Sequence, residues 1–238
     1  MNDSLYSERI LNDGYAIIDE VFDKSEIEII ADIIDQADYS NPTFRKTADL
    51  FAIRQFLKEL PAIKQSIFTP KLNQITKGVF GDGYFAVKSI YFDKPEKSNW
   101  FVAYHQDLTI SVDQKVDTPG FGPWTVKHQQ FSVQPPIDIL QNNFTVRIHL
   151  DDTDETNGAL KVIPGSHSKG IYRPETINWE VEKEIFGKVN KGGIMIMRPL
   201  LLHASNRSTS SKRRRVVHIE FSKAQLPDPL QWSEKIES

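Results

Sequence analysis

Residues 144–163 read Phe144-Thr145-Val146-Arg147-Ile148-His149-Leu150-Asp151-Asp152-Thr153-Asp154-Glu155-Thr156-Asn157-Gly158-Ala159-Leu160-Lys161-Val162-Ile163. The first seven alternate apolar and polar, the period-two pattern of a strand with one face in a core. Asn157-Gly158 is a turn signal, and the next five residues read as another strand. Working outward, residues 84–92, 99–105, 194–197 and 215–221 are further runs rich in aromatic and β-branched side chains. The lead before them is different. Residues 23–34 begin on an Asp or Ser cap and place apolar residues at helical spacing. Residues 50–57, stopped near Pro61, suit a second helix, and 72–79, closed by Gly81-Asp82-Gly83, a third. A helical lead over about 1–80 followed by short strands over about 84–222 predicts a mainly β, α+β fold, a jelly-roll barrel buttressed by N-terminal helices. No repeat, low-complexity segment or linker interrupts the chain, so residues 1–238 read as a single domain. Residues 108–142 show few clear elements and are long enough for a functional loop or lid.

Composition limits the chemistry. The chain has 238 residues, 29 Lys plus Arg against 32 Asp plus Glu, a formal net charge of −3, six His and no Cys. A fold of this size buries roughly 70–75% of its unfolded surface and needs no staples. Without Cys there are no disulfides, thiolate–zinc sites, iron–sulfur ligands or thiol nucleophiles. Any metal must be held by His and carboxylate. The slight acidity argues against a broad nucleic-acid footprint. The first residues lack a basic leader and apolar stretch, and no run approaches the ~20 apolar residues of a membrane span. The expectation is a soluble cytoplasmic protein with no membrane and no nucleic-acid partner.

The sharpest local feature is His105-Gln106-Asp107. On a strand, alternate side chains share a face, so an imidazole and a carboxylate would point the same way, about 7 Å apart along the backbone. Two His and one carboxylate on one face of an octahedral ion leave three open positions, the arrangement of non-haem Fe(II) oxygenases. The tripeptide alone is equally what a solvated strand carries. The candidates for a second imidazole are His128, His149, His167, His203 and His218. His203 follows the apolar run 194–197, at a plausible barrel rim. Eleven residues later comes Arg214, within Lys212-Arg213-Arg214-Arg215. A buried guanidinium there would need an anionic partner and matches a carboxylate bidentately. In a chain of net negative charge the run itself reads as a strand entry with one Arg inward and the others in water.

Taken together, four blocks resemble the phytanoyl-CoA dioxygenase family, which are Fe(II)- and 2-oxoglutarate-dependent oxygenases. They are residues 100–107, Arg147-Ile148-His149-Leu150-Asp151-Asp152, residues 157–167, and Arg198-Pro199-Leu200-Leu201-Leu202-His203-Ala204-Ser205. The resemblance runs from about Lys88 to Phe221. It implies a double-stranded β-helix (jelly-roll, cupin-like) with the metal at one mouth. It implies His105, Asp107 and His203 as iron ligands and Arg214 on the distal carboxylate of 2-oxoglutarate. Ser205 would assist that carboxylate, and Gln106 also matches the family. Trp124 and Lys88 correspond to further cosubstrate contacts. The cofactors implied are Fe(II), 2-oxoglutarate as cosubstrate, and O2.

The implied reaction is hydroxylation of a small-molecule substrate with release of succinate and CO2. Halogenating relatives have a small residue in place of the carboxylate ligand, and here Asp107 is present. No side chain beyond the metal ligands is needed as acid or base. Nothing in the sequence identifies a coenzyme A site, the substrate or the oligomeric state. Two rival readings are a non-catalytic small-ligand-binding barrel and a nucleic-acid demethylase. Intact ligand positions argue against the first, net charge against the second. Of the other histidines, His149 reads as a hydrogen-bonded barrel residue, His167 as a loop-orienting one, His218 as a neighbour of the ligands and His128 as solvated.

Overall fold

The structure, a computed structural model, describes residues 3–38, 44–48, 51–127 and 130–237. The largest sheet has eight strands in the order β1 (Tyr15–Ile18), β12 (Ile194–Met197), β9 (Phe144–His149), β14 (Arg214–Ser222), β4 (Phe85–Lys94), β3 (Phe51–Arg54) and β2 (Phe44–Lys46), with β15 (Ile236–Glu237) also paired to β4. A second sheet runs β11 (Ile185–Gly187), β10 (Leu160–Val162), β13 (His203–Ser205) and β5 (Val102–His105). The small third sheet is β6 (Ile110–Val112), β8 (Gln130–Val133) and β7 (Trp124–Lys127). All pairings are antiparallel. Side chains of β4, β9 and β14 share one cavity with side chains of β5, β10 and β13. The two larger sheets therefore face each other as the expected jelly-roll.

Strand alternation decides what each face of the large sheet meets. Val146 and Ile148 of β9, Ile196 of β12 and Val217 and Ile219 of β14 form one buried apolar face. Against it lie Ile27, Ile30 and Ile34 of helix α2 (Lys24–Asp35) and Leu72 and Ile75 of helix α5 (Pro70–Phe80), after α1 (Asp3–Asn12) and the short helices α3 (Phe56–Glu59) and α4 (Lys64–Ile67). Helix α2 starts where the sequence suggests. Asp23 Oδ1 accepts the Glu26 N–H at 2.9 Å and Glu26 Oε2 accepts the Asp23 N–H at 2.8 Å, a reciprocal capping box. The intervening residues Thr145, Arg147, His149, His218 and Glu220 face the barrel interior, all buried. No helix among the described residues is long and apolar enough to cross a membrane.

Two expectations differ from the fold. The lead is not purely helical, because it contributes three strands to the large sheet. Residues 51–54, expected in a helix, form β3, whose partner is β4. Backbone pairing along β4 outweighs a local helical pattern that only Phe56–Glu59 realises. Residues 108–142 are also more ordered than expected, since they hold the third sheet and helix α6 (Ile137–Asn142).

Ile219 is fully buried between the sheet and the helices. Ile219→Ala is expected to lower the unfolding free energy by about 2–5 kcal/mol. The urea midpoint should fall with little change in the slope of the transition.

Candidate metal centre

Strand β5 ends at His105, and β13 begins at His203. The two histidines are direct cross-strand partners. Their ring centroids are 4.2 Å apart. His105 Nδ1 lies 2.9 Å from the Ala103 carbonyl and His203 Nδ1 2.9 Å from the Leu201 carbonyl. A carbonyl only accepts, so each Nδ1 carries a proton, and in the neutral form of either ring the lone pair is on Nε2. Burial pushes His203 down to about 4, against an opposing pull from Asp107, which keeps the ring neutral at pH 7.

Asp107 lies just past the end of β5, its N–H bonded to the Pro199 carbonyl at 2.9 Å. Its Oδ1 is 3.8 Å from His105 Nε2 and its Oδ2 3.8 Å from His203 Nε2. Oδ2 is buried and has no hydrogen-bond partner among the described residues. Burial opposes ionisation of this carboxyl, but His203, His218 and Lys88 around it outweigh burial and hold it well below the usual range. The three ligand atoms all lie within 4.8 Å of one another. Donors that share an ion at about 2.1 Å each can be at most about 4.2 Å apart, and both 3.8 Å separations meet that limit. Two lone-pair nitrogens and an unpartnered carboxylate oxygen fit a divalent ion. The His105 side chain is 41% exposed and the His203 side chain 7%, so the centre opens on the His105 side.

Asp107, His218 and Glu220 form a second close group. It is less free. Arg147 Nη1 is 3.0 Å from His218 Nδ1, and a guanidinium only donates, so Nδ1 accepts. His218 Nε2 then donates to Glu220 Oε1 at 3.2 Å, which also takes Lys88 Nζ at 2.6 Å. Both histidine nitrogens are committed.

The remaining predicted residues separate into two sets. Arg214, Ser205 and Lys88 line the cavity. Arg214 is buried, its Nη1 donates to the Gly158 carbonyl, and its Nε has no partner among the described residues. Burial, with repulsion from Arg147, lowers its guanidinium to about 9. Ser205 Oγ donates to the same Gly158 carbonyl at 2.9 Å. Gly158 has φ +86°, and a Cβ there would come 2.6 Å from Lys94 Nζ and 3.0 Å from the Asn206 carbonyl. That is why glycine follows Asn157. Gln106 and Trp124 do not line the cavity. Gln106 projects to the other side of the strand and is fully used there. Its Nε2 donates to the carbonyls of Gly170 at 2.8 Å and Leu200 at 2.6 Å, and its Oε1 accepts the Tyr172 N–H at 2.9 Å. Trp124 packs in a separate apolar cluster with Leu108 and Phe131.

The basic run also resolves differently. Arg214 points in, but Arg213 and Arg215 do not simply face water. Arg213 Nε bonds Asp93 Oδ1 at 2.9 Å, Arg215 pairs with Asp151 at 2.9 and 2.8 Å, and Lys212 reaches Asp154 at 3.1 Å. Sequence reasoning gave no role to Arg147, Trp100, Phe92 or Glu220, all on the cavity wall. The signals for Arg147 were its place on the polar face of an alternating strand and in one of the blocks that carry the resemblance. His149 Nδ1 donates to Thr153 Oγ1 at 2.8 Å, and His167 Nε2 to the Leu11 carbonyl at 3.2 Å. Neither lines the cavity. His128 lies outside the described residues.

Burial pushes His149 well below the ordinary 6.5, and lowers His218 too. Below about pH 6.5 the unfolded chain binds protons at these rings that the folded protein refuses, so stability rises with pH through that range and is lost as pH falls. The unfolding free energy of the metal-free protein should drop between pH 7 and pH 5 in urea titrations. His149→Gln should flatten that slope by up to about 1.4 kcal/mol per pH unit.

Residues 10–216 match the family model described as phytanoyl-CoA dioxygenase (PhyH). A Danio rerio protein, phytanoyl-CoA dioxygenase domain-containing protein 1, is 26% identical over 195 residues, covering 74% of this chain and 59% of that protein. The chain thus spans under two thirds of that relative's length. Among solved structures, the epimerase SnoN in complex with Fe3+, alpha ketoglutarate and nogalamycin RO aligns with TM-score 0.69 at 14% identity, over 99% of this chain and 96% of that one. EctD from S. alaskensis with 2-oxoglutarate and 5-hydroxyectoine aligns with TM-score 0.69 at 16% identity, over 93% and 78%.

Proposed function

We propose that this chain, which belongs to the phytanoyl-CoA dioxygenase family, is an Fe(II)- and 2-oxoglutarate-dependent oxygenase that hydroxylates a small molecule. The family's chemistry is that of non-haem iron, 2-oxoglutarate-dependent enzymes. His105, Asp107 and His203 would hold the iron, and Arg214 the distal carboxylate of 2-oxoglutarate. When bound, the iron and 2-oxoglutarate supply the oxidation of a C–H bond, with release of succinate and CO2. The observation that carries this reading is the convergence of two Nε2 lone pairs on the two oxygens of the Asp107 carboxylate, in a cavity that is also lined by the buried Arg214, whose Nε has no partner among the described residues.

The chain's residues contribute position and charge. The Ala103 and Leu201 carbonyls fix the tautomer and plane of the two imidazoles, the usual role of a metal ligand's own hydrogen-bond partner. Gly158 offers its carbonyl to both Arg214 and Ser205, which sets the two donors side by side. A guanidinium forks onto a carboxylate with two parallel hydrogen bonds, so Arg214 sets the direction of a dicarboxylate as well as attracting it. Phe92 and Trp100, stacked with centroids 5.9 Å apart, give the wall an apolar stretch that excludes water. None of these residues needs to move a proton.

Anaerobic addition of Fe(II) and 2-oxoglutarate to the purified protein should give a weak visible absorption band. His105→Ala should abolish it. Arg214→Ala should weaken 2-oxoglutarate binding by about tenfold or more while iron is retained. Absence of the band, together with no succinate from any substrate pool, would sink the reading.

A further inference from the structure

Beyond Lys88 lies a second cavity of about 320 Å³. The one that holds His105, Asp107 and His203 is about 150 Å³. Lys88 and Ile90 line both, so the two spaces adjoin. The strand register explains the continuity. Arg54 of β3 is the cross-strand partner of Ile90 of β4. Directly opposed residues project from the same face of a sheet. β3 thus extends the cavity face of the large sheet past β4, and Arg54 stands on that extension. Ser111 of β6 and Gln130 of β8 belong to the same lining, so the region expected to be a loop or lid supplies part of the wall.

The charges in this chamber are unevenly committed. Lys88 is paired with Glu220 at 2.6 Å. The buried Glu234 gives one oxygen to the Ser89 N–H at 2.9 Å and the other to Ser89 Oγ at 2.5 Å. Asp113 accepts the Gln231 N–H at 2.9 Å. Arg54 and Lys58, on the same wall, form no ion pair among the described residues. Arg54 and Lys58 are exposed cations on one wall, and Asp113 and the buried Glu234, which also form no ion pair among the described residues, belong to the same lining. The local positive charge of the neighbouring Arg54 and Lys58 attracts ligands of the other sign to that wall. The volume is at the small end for ligand sites, which suits a compact molecule.

We propose that this chamber is the substrate site, and that the substrate carries an anionic oxyacid group, a carboxylate or a phosphate, held by Arg54 and Lys58. The rest of the molecule reaches past Ile90 to the metal centre. The Lys88–Glu220 pair stands at the junction and separates the substrate's anion from the cosubstrate's. This inference rests on the oxygenase reading for the role of the neighbouring centre. The anion site itself does not need the metal.

The test is calorimetric titration of the full chain, loaded anaerobically with Fe(II) and 2-oxoglutarate, with benzoate, phenyl phosphate and benzamide. At least one anion should bind, and benzamide should bind at least about tenfold more weakly. The double variant Arg54→Gln/Lys58→Gln should weaken the anion about tenfold or more, with the visible band and 2-oxoglutarate affinity unchanged. The order of benzoate and phenyl phosphate separates a carboxylate from a phosphate site. The proposal is overturned if benzamide binds as well as the anions, if neither anion binds, or if the double variant keeps wild-type affinity. Failure of the oxygenase reading looks different. The band would be missing before any titrant is added, and titration of the unloaded chain would then decide the anion site by the same criteria.

Discussion

The candidate site depends on one backbone pairing, that of β13 with β5, which sets His203 opposite His105. Directly opposed residues of an antiparallel pair hold their Cβ atoms about 5 Å apart. Two imidazoles from distant parts of the chain thereby become neighbours before any metal is considered. The register shifts between His203 and Ser205, where Ser205 faces Val102. An irregularity of this kind re-aims a side chain. It lets Ser205 turn to Gly158 and Arg214 while His203 keeps its place beside His105. Each ring is then pinned through Nδ1 to the carbonyl two residues earlier in the chain. The two rings are thus held side by side by the sheet and by their own backbone.

Such a site requires the barrel interior to hold charge. Arg147, Arg214, Lys88, Glu220, His203 and His218 all line one small cavity. Buried charge is unfavourable unless it is paired and hydrogen-bonded. Part of the set satisfies itself in a chain from Arg147 through His218 to Glu220 and Lys88. The Nε atoms of Arg147 and Arg214, which have no partner among the described residues, lie outside that chain. The other face of the same strands carries Val146, Ile148, Val217 and Ile219 against α2 and α5. Strand alternation thus lets one sheet stabilise the fold on one side and carry chemistry on the other.

Much of this was legible in residues whose pattern is local. The alternation over 144–150, the apolar run at 194–197 and the cap at Asp23 each appear where expected. The His105, Asp107 and His203 cluster was legible only through resemblance, because four other histidines competed with His203 for the second imidazole on spacing alone. Errors arose where a partner strand or a distant backbone group decided the outcome. Residues 51–54 became a strand because β4 presents an unpaired edge to them. Gln106 looked like a site residue by its position between two ligands, yet alternation turns it outward to Gly170, Tyr172 and Leu200. Trp124 was chosen by proximity in sequence, whereas the wall is built from Trp100 and Phe92. Arg213 and Arg215 found Asp93 and Asp151 on neighbouring segments, which a run of like charges does not reveal.

The sequence by itself determined the elements with strong periodicity, the absence of thiol chemistry and the supply of His and carboxylate from which a metal site must be drawn. It determined these because propensity, capping and donor chemistry are properties of the residue and its near neighbours. Tertiary structure alone decided which strands are neighbours, and so which histidines meet, which arginine of the basic run is buried and how far the cavity face extends. Those outcomes depend on register, and register is a relation between segments that no single segment contains.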